Sequence, residues 1–427
     1  MNNSTIAKLF VFLISFLCFA ESGANAQVKL LIPMEPSQTN HLKAYGIAYR
    51  HLLNGKELDW LLNYRGGSFL FNYEKSLEDE CRGKGVSYDL LNGTQTAVVY
   101  ADAQSDENNT QIERLEKVAK IAVYVPPNAL PWDDAVQLVL DYAEIPYEKL
   151  WDEEVLNGKL KGFDWLHLHH EDFTGQYGKF FATYGSSPWY LNQKMINEEM
   201  AAKFGFRKVS QLKLAVVRKL QEYVANGGFL FTMCSATDTY DIALASAGTD
   251  ICETMYDGDP SDPDANSKLN FGECLAFENF TVDLNPYVYE YSNIDMTNQL
   301  LSYGQFNDNF KLVEFSARLD PVPTMLTQCH TYLISGFMGQ TTGFNKQFLK
   351  KNVTILGMNE GTDIVKYIHG NYGKGTFTFF GGHDPEDYQH AVGDPKTELD
   401  LYPHSPGYRL ILNNVLFPAA KKKKLKT

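Results

Sequence analysis

The segment that most constrains this chain is a helical pattern that stops on two glycines and gives way at once to a short apolar run. Leu212, Val216, Leu220 and Val224 recur every four residues through Val209–Asn226, which predicts an amphipathic helix. Asn226-Gly227-Gly228 ends it, because glycine takes the left-handed conformation of a helix C-terminus without steric penalty. Phe229–Met233 then reads as a strand buried on both faces, as in a parallel sheet. Cys234 follows where the chain turns off the sheet. In open α/β sheets ligands gather beyond the carboxyl ends of the strands, so Cys234 stands where a nucleophile could act.

Strand and helix patterns alternate around that segment. Val28–Met34, His41–Leu53 and Leu58–Asn63 predict a β-α-β opening that ends in Tyr64-Arg65-Gly66-Gly67-Ser68. The polar stretch Asp102–Asn109 reads as a linker, so an N-terminal extension is expected over 27–110. Ile121–Val125, Pro131–Ala143, Pro146–Leu150 and Gly162–His170 begin a second series, with proline near the first turn of its helix. This gives a core whose first part spans 111–240. The rhythm breaks over 241–352, rich in Asp, Asn, Tyr and Gly, which reads as a long insertion or subdomain. It returns over 353–420 with Val353–Leu356, Thr376–Phe380 and the amphipathic Gly407–Phe417. Such alternation predicts a mostly parallel sheet with right-handed crossovers.

Lys8, the apolar run Leu9–Ala20 and Ala24-Asn25-Ala26 have the form of a signal peptide over 1–26, with cleavage expected after Ala26. The run is too short to anchor the chain in a bilayer. A periplasmic or extracellular protein with no transmembrane segment is therefore expected. The formal net charge of −14 disfavours nucleic acid as a partner. The basic stretch Lys421–Lys426, within the tail 421–427, reads as a solvated end. Cys81, Cys234, Cys252, Cys274 and Cys329 follow the signal, an odd number, so one is expected to be unpaired. Cys252 and Cys274 flank a compact loop and could pair.

Cys234, His383 and Glu386 would supply a nucleophile, a base and an orienting acid from separate strand ends. His167, His169, His170, Glu171 and Asp172 form the densest polar cluster. Strand alternation puts His167 and His169 on one face and His170 on the other. His169, His170 and Glu171, joined by His383 or His390, have donors suited to zinc or another divalent metal. The alternative is hydrogen bonding within a crevice, where His170, Glu171, Asp172, Asp238 and Asp384 would contact a substrate. Asp257–Asn266 offers hard oxygens but lacks the closing glutamate of a calcium-binding EF-hand, so a solvated turn is expected. Tyr287, Tyr289, Tyr291, Tyr303 and Phe306 would suit stacking on sugar rings; the first three, at alternating positions, equally fit one face of a strand.

Phe163-Asp164-Trp165-Leu166-His167-Leu168, the helix–Gly-Gly–strand–Cys234 run, Tyr372-Gly373-Lys374-Gly375-Thr376-Phe377 before Gly382-His383, and Tyr408–Asn413 occur in an order that resembles the class I glutamine amidotransferase-like superfamily, particularly its ThuA-like branch. The likeness covers roughly 119–240 and 350–420. It implies a flavodoxin-like, mostly parallel α/β core and a hydrolase or carbohydrate-processing protein acting on a small-molecule or carbohydrate ligand. A noncatalytic binding module on the same fold is the second implication. A third is a glutamine-hydrolysing amidotransferase, since the whole chain is similar to bacterial proteins labelled asparagine synthetase B. Two departures count against the third: Thr232 and Ala236 replace the glycines that flank the family's cysteine, and Glu386 lies one residue beyond the place of the family's acid.

Overall fold

The computed structural model describes residues 28–303, 309–318, 320, 328–388 and 391–420. The signal pattern, Phe306, His390 and the basic tail lie outside them. No helix among the described residues is long and apolar enough to cross a membrane.

The N-terminal strands form a sheet of their own. β1 (Lys29–Ile32) leads through α1 (His41–Leu53) to β2 (Leu58–Leu62), and β3 (Ser68–Asn72), β4 (Asp89–Leu91) and β5 (Gln111–Leu115) complete the order β4-β1-β3-β2-β5. Every pairing in it is antiparallel. The expected β-α-β opening is therefore split, with β3 inserted between the two parallel strands that α1 connects. Asn40 starts α1 by accepting from Lys43 N, which satisfies an amide that the helix leaves unbonded. Of the expected linker Asp102–Asn109, residues 102–104 end the helix Gly93–Gln104 and the rest is turn, while β5 still belongs to the first sheet, so the chain changes sheets between Leu115 and Ile121.

The second sheet carries the candidate site. β6 (Ile121–Tyr124), β7 (Glu148–Leu150), β8 (Trp165–Leu168), β9 (Phe229–Met233) and β15 (Gly375–Phe380) are parallel, in the order β7-β6-β8-β9-β15. β14 (Ile364–Tyr372), β13 (Thr354–Asn359), β10 (Asn309–Leu312) and β11 (Leu333–Ser335) extend it antiparallel beyond β15, and β12 (Phe344–Asn345) pairs with β14. The molecule is thus α/β with a mixed sheet. Within the region 241–352, expected as an insertion or subdomain, β10, β11 and β12 pair into this sheet.

The helices run between the parallel strands. α2 (Ala135–Tyr142) follows β6, starting at the Asp134 cap rather than at Pro131. α3 (Pro188–Lys203) and α4 (Val209–Ala225) precede β9, α5 (Ala236–Ala245) follows it, and α6 (Pro406–Leu416) closes the chain. Leu212, Val216, Leu220 and Val224 of α4 are all 0% exposed, the stripe their spacing requires.

Asp241 on α5 fastens the loop that covers this helix. Its carboxylate accepts from the amides of Leu275, Ala276 and Phe277 at 2.6, 2.7 and 2.9 Å. Asp241→Ala would leave these buried amides unpaired, each costing about 1–3 kcal/mol. A loss of roughly 3 kcal/mol or more in urea unfolding is expected, with protease cleavage appearing first in 250–290; a change below about 1 kcal/mol would contradict this role.

The cysteines do not pair. All five described are free. Cys252 Sγ donates to Thr174 O and Cys274 Sγ to Asp241 O, so the pairing their positions left open does not form. In Asp257–Asn266, lysines stand where a cation would sit. Lys208 Nζ lies 3.0 Å from Asp257 and also meets Asp250 and Asp259, while Lys268 pairs with Asp264 at 2.8 Å and with Asp262.

Candidate functional site

The carboxyl ends of β6, β8, β9 and β15 open onto one rim. Met233 pairs with Phe380, so the residues after β9 and β15 leave the sheet side by side. Cys234 N donates to Gly382 O at 3.0 Å, and Ala236 N donates to His169 O at 3.1 Å. These bonds tie three distant segments together: the end of β8, the turn after β9 and the end of β15. Gly382 also packs tightly against Phe337. Its φ is +98°, and a Cβ there would lie 2.4 Å from a ring carbon of Phe337.

Cys234 is a non-glycine residue with φ +51°, on a turn from strand to helix. Backbone held in this region is strained and concentrates at functional sites. The conformation arises with Thr232 and Ala236, not glycines, two residues to either side. The thiol is 1% exposed and accepts from Gln340 N at 3.2 Å. Burial pushes its pKa up to about 11, against the opposing pull of the Gln340, Ser235 and Thr341 amides. At neutral pH it is a thiol, not a thiolate.

His383 sits opposite the end of β8. Its ring centroid is 4.4 Å from that of His169, at 79°, and 5.8 Å from that of His170. His169 and His170 are 5.2 Å apart. One ligand nitrogen from each of His169, His170 and His383 lies within 4.8 Å of the other two. Asp134, His167 and His169 form an adjoining group with the same property. His167 Nε2 is 3.0 Å from His169 Nδ1, as the shared strand face predicts.

The acids divide. Glu386 is turned to the side chain of Ser405, the cap of α6, and burial raises its carboxyl. This is a different attachment from the expected pairing with His383. Asp384 accepts from Glu386 N at 2.9 Å and faces Tyr408, so it too braces the start of α6. Glu171, expected as a metal ligand, is not one of the group that His169, His170 and His383 form. Burial pushes its carboxyl up to about 8, with Lys213 opposing and Asp152 and Asp134 adding to the rise. Asp172 accepts from Thr174 N at 2.7 Å and Gly178 N at 2.9 Å, which makes it the pin of a turn. Asp238 is fully buried and accepts from Thr341 Oγ1 at 2.9 Å. Burial pushes its carboxyl up to about 7, so it changes charge near neutral pH.

Aromatic rings border His170. Trp132 meets it edge-on at 5.4 Å and packs at 5.2 Å from Phe180 and 5.3 Å from Trp189. Tyr289 reaches Phe180 at 5.8 Å. Tyr287 is 70% and Tyr289 42% exposed while Tyr291 is 1% exposed, and they belong to no strand, so these tyrosines do not share a strand face. Lys179, 2% exposed, donates to Asp283 O at 2.7 Å and Glu290 O at 2.9 Å, which holds this loop beside the rim.

Asp134 is a member of the site that the residue pattern did not single out. It caps α2 by accepting from Val136 N at 2.8 Å and Gln137 N at 3.0 Å, and its Oδ1 is 3.5 Å from both His167 and His169. An aspartate directly before Ala135-Val136 is the signal that could have found it.

No family model matches this chain, and no curated protein matches it. Among solved structures it is similar to Cytoplasmic Protein STM3548 from Salmonella typhimurium, at 11% identity and a TM-score of 0.35 over 71% of this chain and 100% of that one. Cytoplasmic Protein STM1381 from Salmonella typhimurium LT2 matches at 11% identity and a TM-score of 0.33, again over 71% and 100%. A beta-galactosidase from Bacillus circulans sp. alkalophilus matches at 11% identity and a TM-score of 0.26, over 69% of this chain and 32% of that one.

Proposed function

We propose that this is an exported hydrolase of the ThuA-like, class I amidotransferase-like type, acting on a small-molecule or carbohydrate ligand at the rim of the parallel strands. One observation carries the reading: His169, His170 and His383, from opposite parts of the chain, meet where four parallel strands end. In order of occurrence the parallel strands run 2-1-3-4-5, the flavodoxin-like order, and that is the edge at which such sheets bind ligands. Export rests on the pattern of residues 1–26, and periplasm or cell exterior follows from it.

Geometry favours water over the thiol as nucleophile. The Cys234 thiol is raised and covered, and Glu386 is committed to Ser405. Water activated at the three imidazoles adds to the electrophile and gives up a proton, and the leaving group departs with a proton, so one water is consumed. The same two observations favour a noncatalytic binding module as the second reading. The glutamine-hydrolysing reading would need Cys234 to ionise.

The test is turnover of a panel of 4-nitrophenyl glycosides and 4-nitrophenyl acetate, with glutamine included. His383→Ala is expected to lower turnover at least about 100-fold, since losing the activation of the attacking water costs roughly 100- to 10,000-fold, while Cys234→Ser keeps most of it. Loss in Cys234→Ser with alkylation of that thiol would replace this reading by the amidotransferase one. Ligand binding without turnover on any probe would replace it by the binding module.

A further inference from the structure

We infer that His169, His170 and His383 bind one divalent transition-metal ion, with zinc the best fit, and that His167 and Asp134 set the ligating nitrogen of His169. The inference rests on the reading of this rim as the working site, and names what activates the water there.

Two overlapping groups compete for such an ion, and hydrogen bonding separates them. His167 Nδ1 lies 3.1 Å from Phe231 O. A carbonyl only accepts, so Nδ1 of His167 carries the hydrogen. An imidazole with one ring hydrogen then accepts at Nε2, so His169 Nδ1, 3.0 Å away, is the donor of that pair, and this arrangement leaves Nε2 as the ligating nitrogen of His169. Asp134 cannot lead a site of its own: its Oδ1 already accepts from Val136 N and Gln137 N and stands 3.5 Å from both imidazoles. The group of Asp134, His167 and His169 is therefore a support, and the ion belongs to His169, His170 and His383. Such supports orient a ligating imidazole and raise its basicity.

The donor set selects the metal. Three neutral imidazoles suit zinc, cobalt, nickel or copper and do not suit calcium or magnesium, which take oxygen. A site with three protein ligands leaves a position for water, the pattern of catalytic zinc, where the bound water ionises near neutral pH. His169 and His383 are 1% and 0% exposed and held by the backbone bonds of the rim, while His170 is half-buried and faces the aromatic edge. A third cluster, Asp250, Cys252 and Asp257, is no rival, because Lys208 already supplies a positive charge to its carboxylates.

Full-length mature protein treated with a chelator should take up one zinc per chain by calorimetry, and one cobalt with the intense visible absorption of a four-coordinate site. His383→Ala and His170→Ala should each weaken zinc at least about 100-fold, and Asp134→Asn roughly 10- to 100-fold. His170 is half-buried, so its variant folds even if the His383 variant does not. Cys234→Ser should bind zinc as the wild type does. Absence of stoichiometric zinc uptake by the wild type, or uptake unchanged in both His170→Ala and His383→Ala, would overturn the inference. Zinc binding without turnover of any probe sinks the hydrolase reading and leaves the metal site standing. Turnover that persists in metal-free protein does the reverse.

Discussion

Lys213→Met is expected to destabilise the protein by about 3–5 kcal/mol, the cost of stranding a buried charge. Lys213 Nζ sits 2.9 Å from Asp152 in a pair whose side chains are 4% and 0% exposed, and Tyr124 OH donates to the same carboxylate. Removing the ammonium leaves Asp152 charged without its counter-ion beside Glu171, whose own ionisation burial already resists. Single domains are stable by only about 5–15 kcal/mol, so the variant should unfold at far lower urea than the wild type. The double variant Lys213→Met with Asp152→Leu should recover most of the loss, because two apolar groups no longer need one another. Equal midpoints for the wild type and the single variant would show that the pair contributes nothing. The cluster lies beneath the end of β6, so its loss should also loosen the rim.

The second large effect is acid sensitivity at His369. This ring is 0% exposed in the sheet, with Nδ1 2.9 Å from Thr378 Oγ1, and burial pushes its pKa down to about 3. The unfolded chain binds that proton near pH 6.5 and the folded chain does not. Its contribution is therefore intact above about pH 6.5 and declines as pH falls from there toward 3. The slope approaches about 1.4 kcal/mol per pH unit below pH 6, or roughly 2 kcal/mol in all between pH 6.5 and 4.5. Buried carboxyls such as Asp241, raised to about 6, act in the opposite direction, since the folded state gains their proton first. The comparison is thus between wild type and His369→Leu. Wild-type stability should fall more steeply than the variant's by the stated amount. Parallel urea-stability curves in this range would refute it.

A cluster of imidazoles at the join of the two sheets obeys the same rule. His41 stacks on His330 at 4.1 Å, and its Nδ1 is 3.2 Å from His404 Nδ1. Beside them Arg409, fully buried, donates to Tyr45 OH and Met34 O at 3.0 Å and to Gly66 O. Burial, with Arg409 nearby, pushes His41 down to about 2 and His330 to about 4. The guanidinium anchors the loop between β2 and β3 to α6, which fixes the N-terminal sheet against the core.

Where local pattern decided, the sequence was readable. His41–Leu53 and Phe229–Met233 form the expected elements at the expected bounds, because a capped amphipathic stripe and a glycine-bounded apolar run each have one good solution. The convergence of Cys234, His169, His170 and His383 was legible for a related reason: in a parallel sheet every carboxyl end faces the same way. What stayed hidden depends on pairing between distant strands. Nothing in Ser68–Asn72 announces that it will wedge between β1 and β2. Nor does the Asp, Asn and Tyr content of 241–352 reveal three short strands that widen the main sheet. Side-chain direction was equally opaque. Glu386 reaches Ser405 because α6 presents its cap there, and Lys208 enters the acidic loop from a position some fifty residues earlier. Cys234 takes its left-handed turn without neighbouring glycines, a conformation imposed by the bond from its amide to Gly382 O and the packing above it.

The most direct test is anomalous diffraction from crystals grown with one equivalent of zinc, collected on both sides of the zinc edge. One peak is predicted, bonded to His169 Nε2 and to the rings of His170 and His383, with Asp134 behind His169. A peak at Asp250 and Asp257 instead, or no peak between the three imidazoles, would contradict the claim that these strand ends build a single working centre.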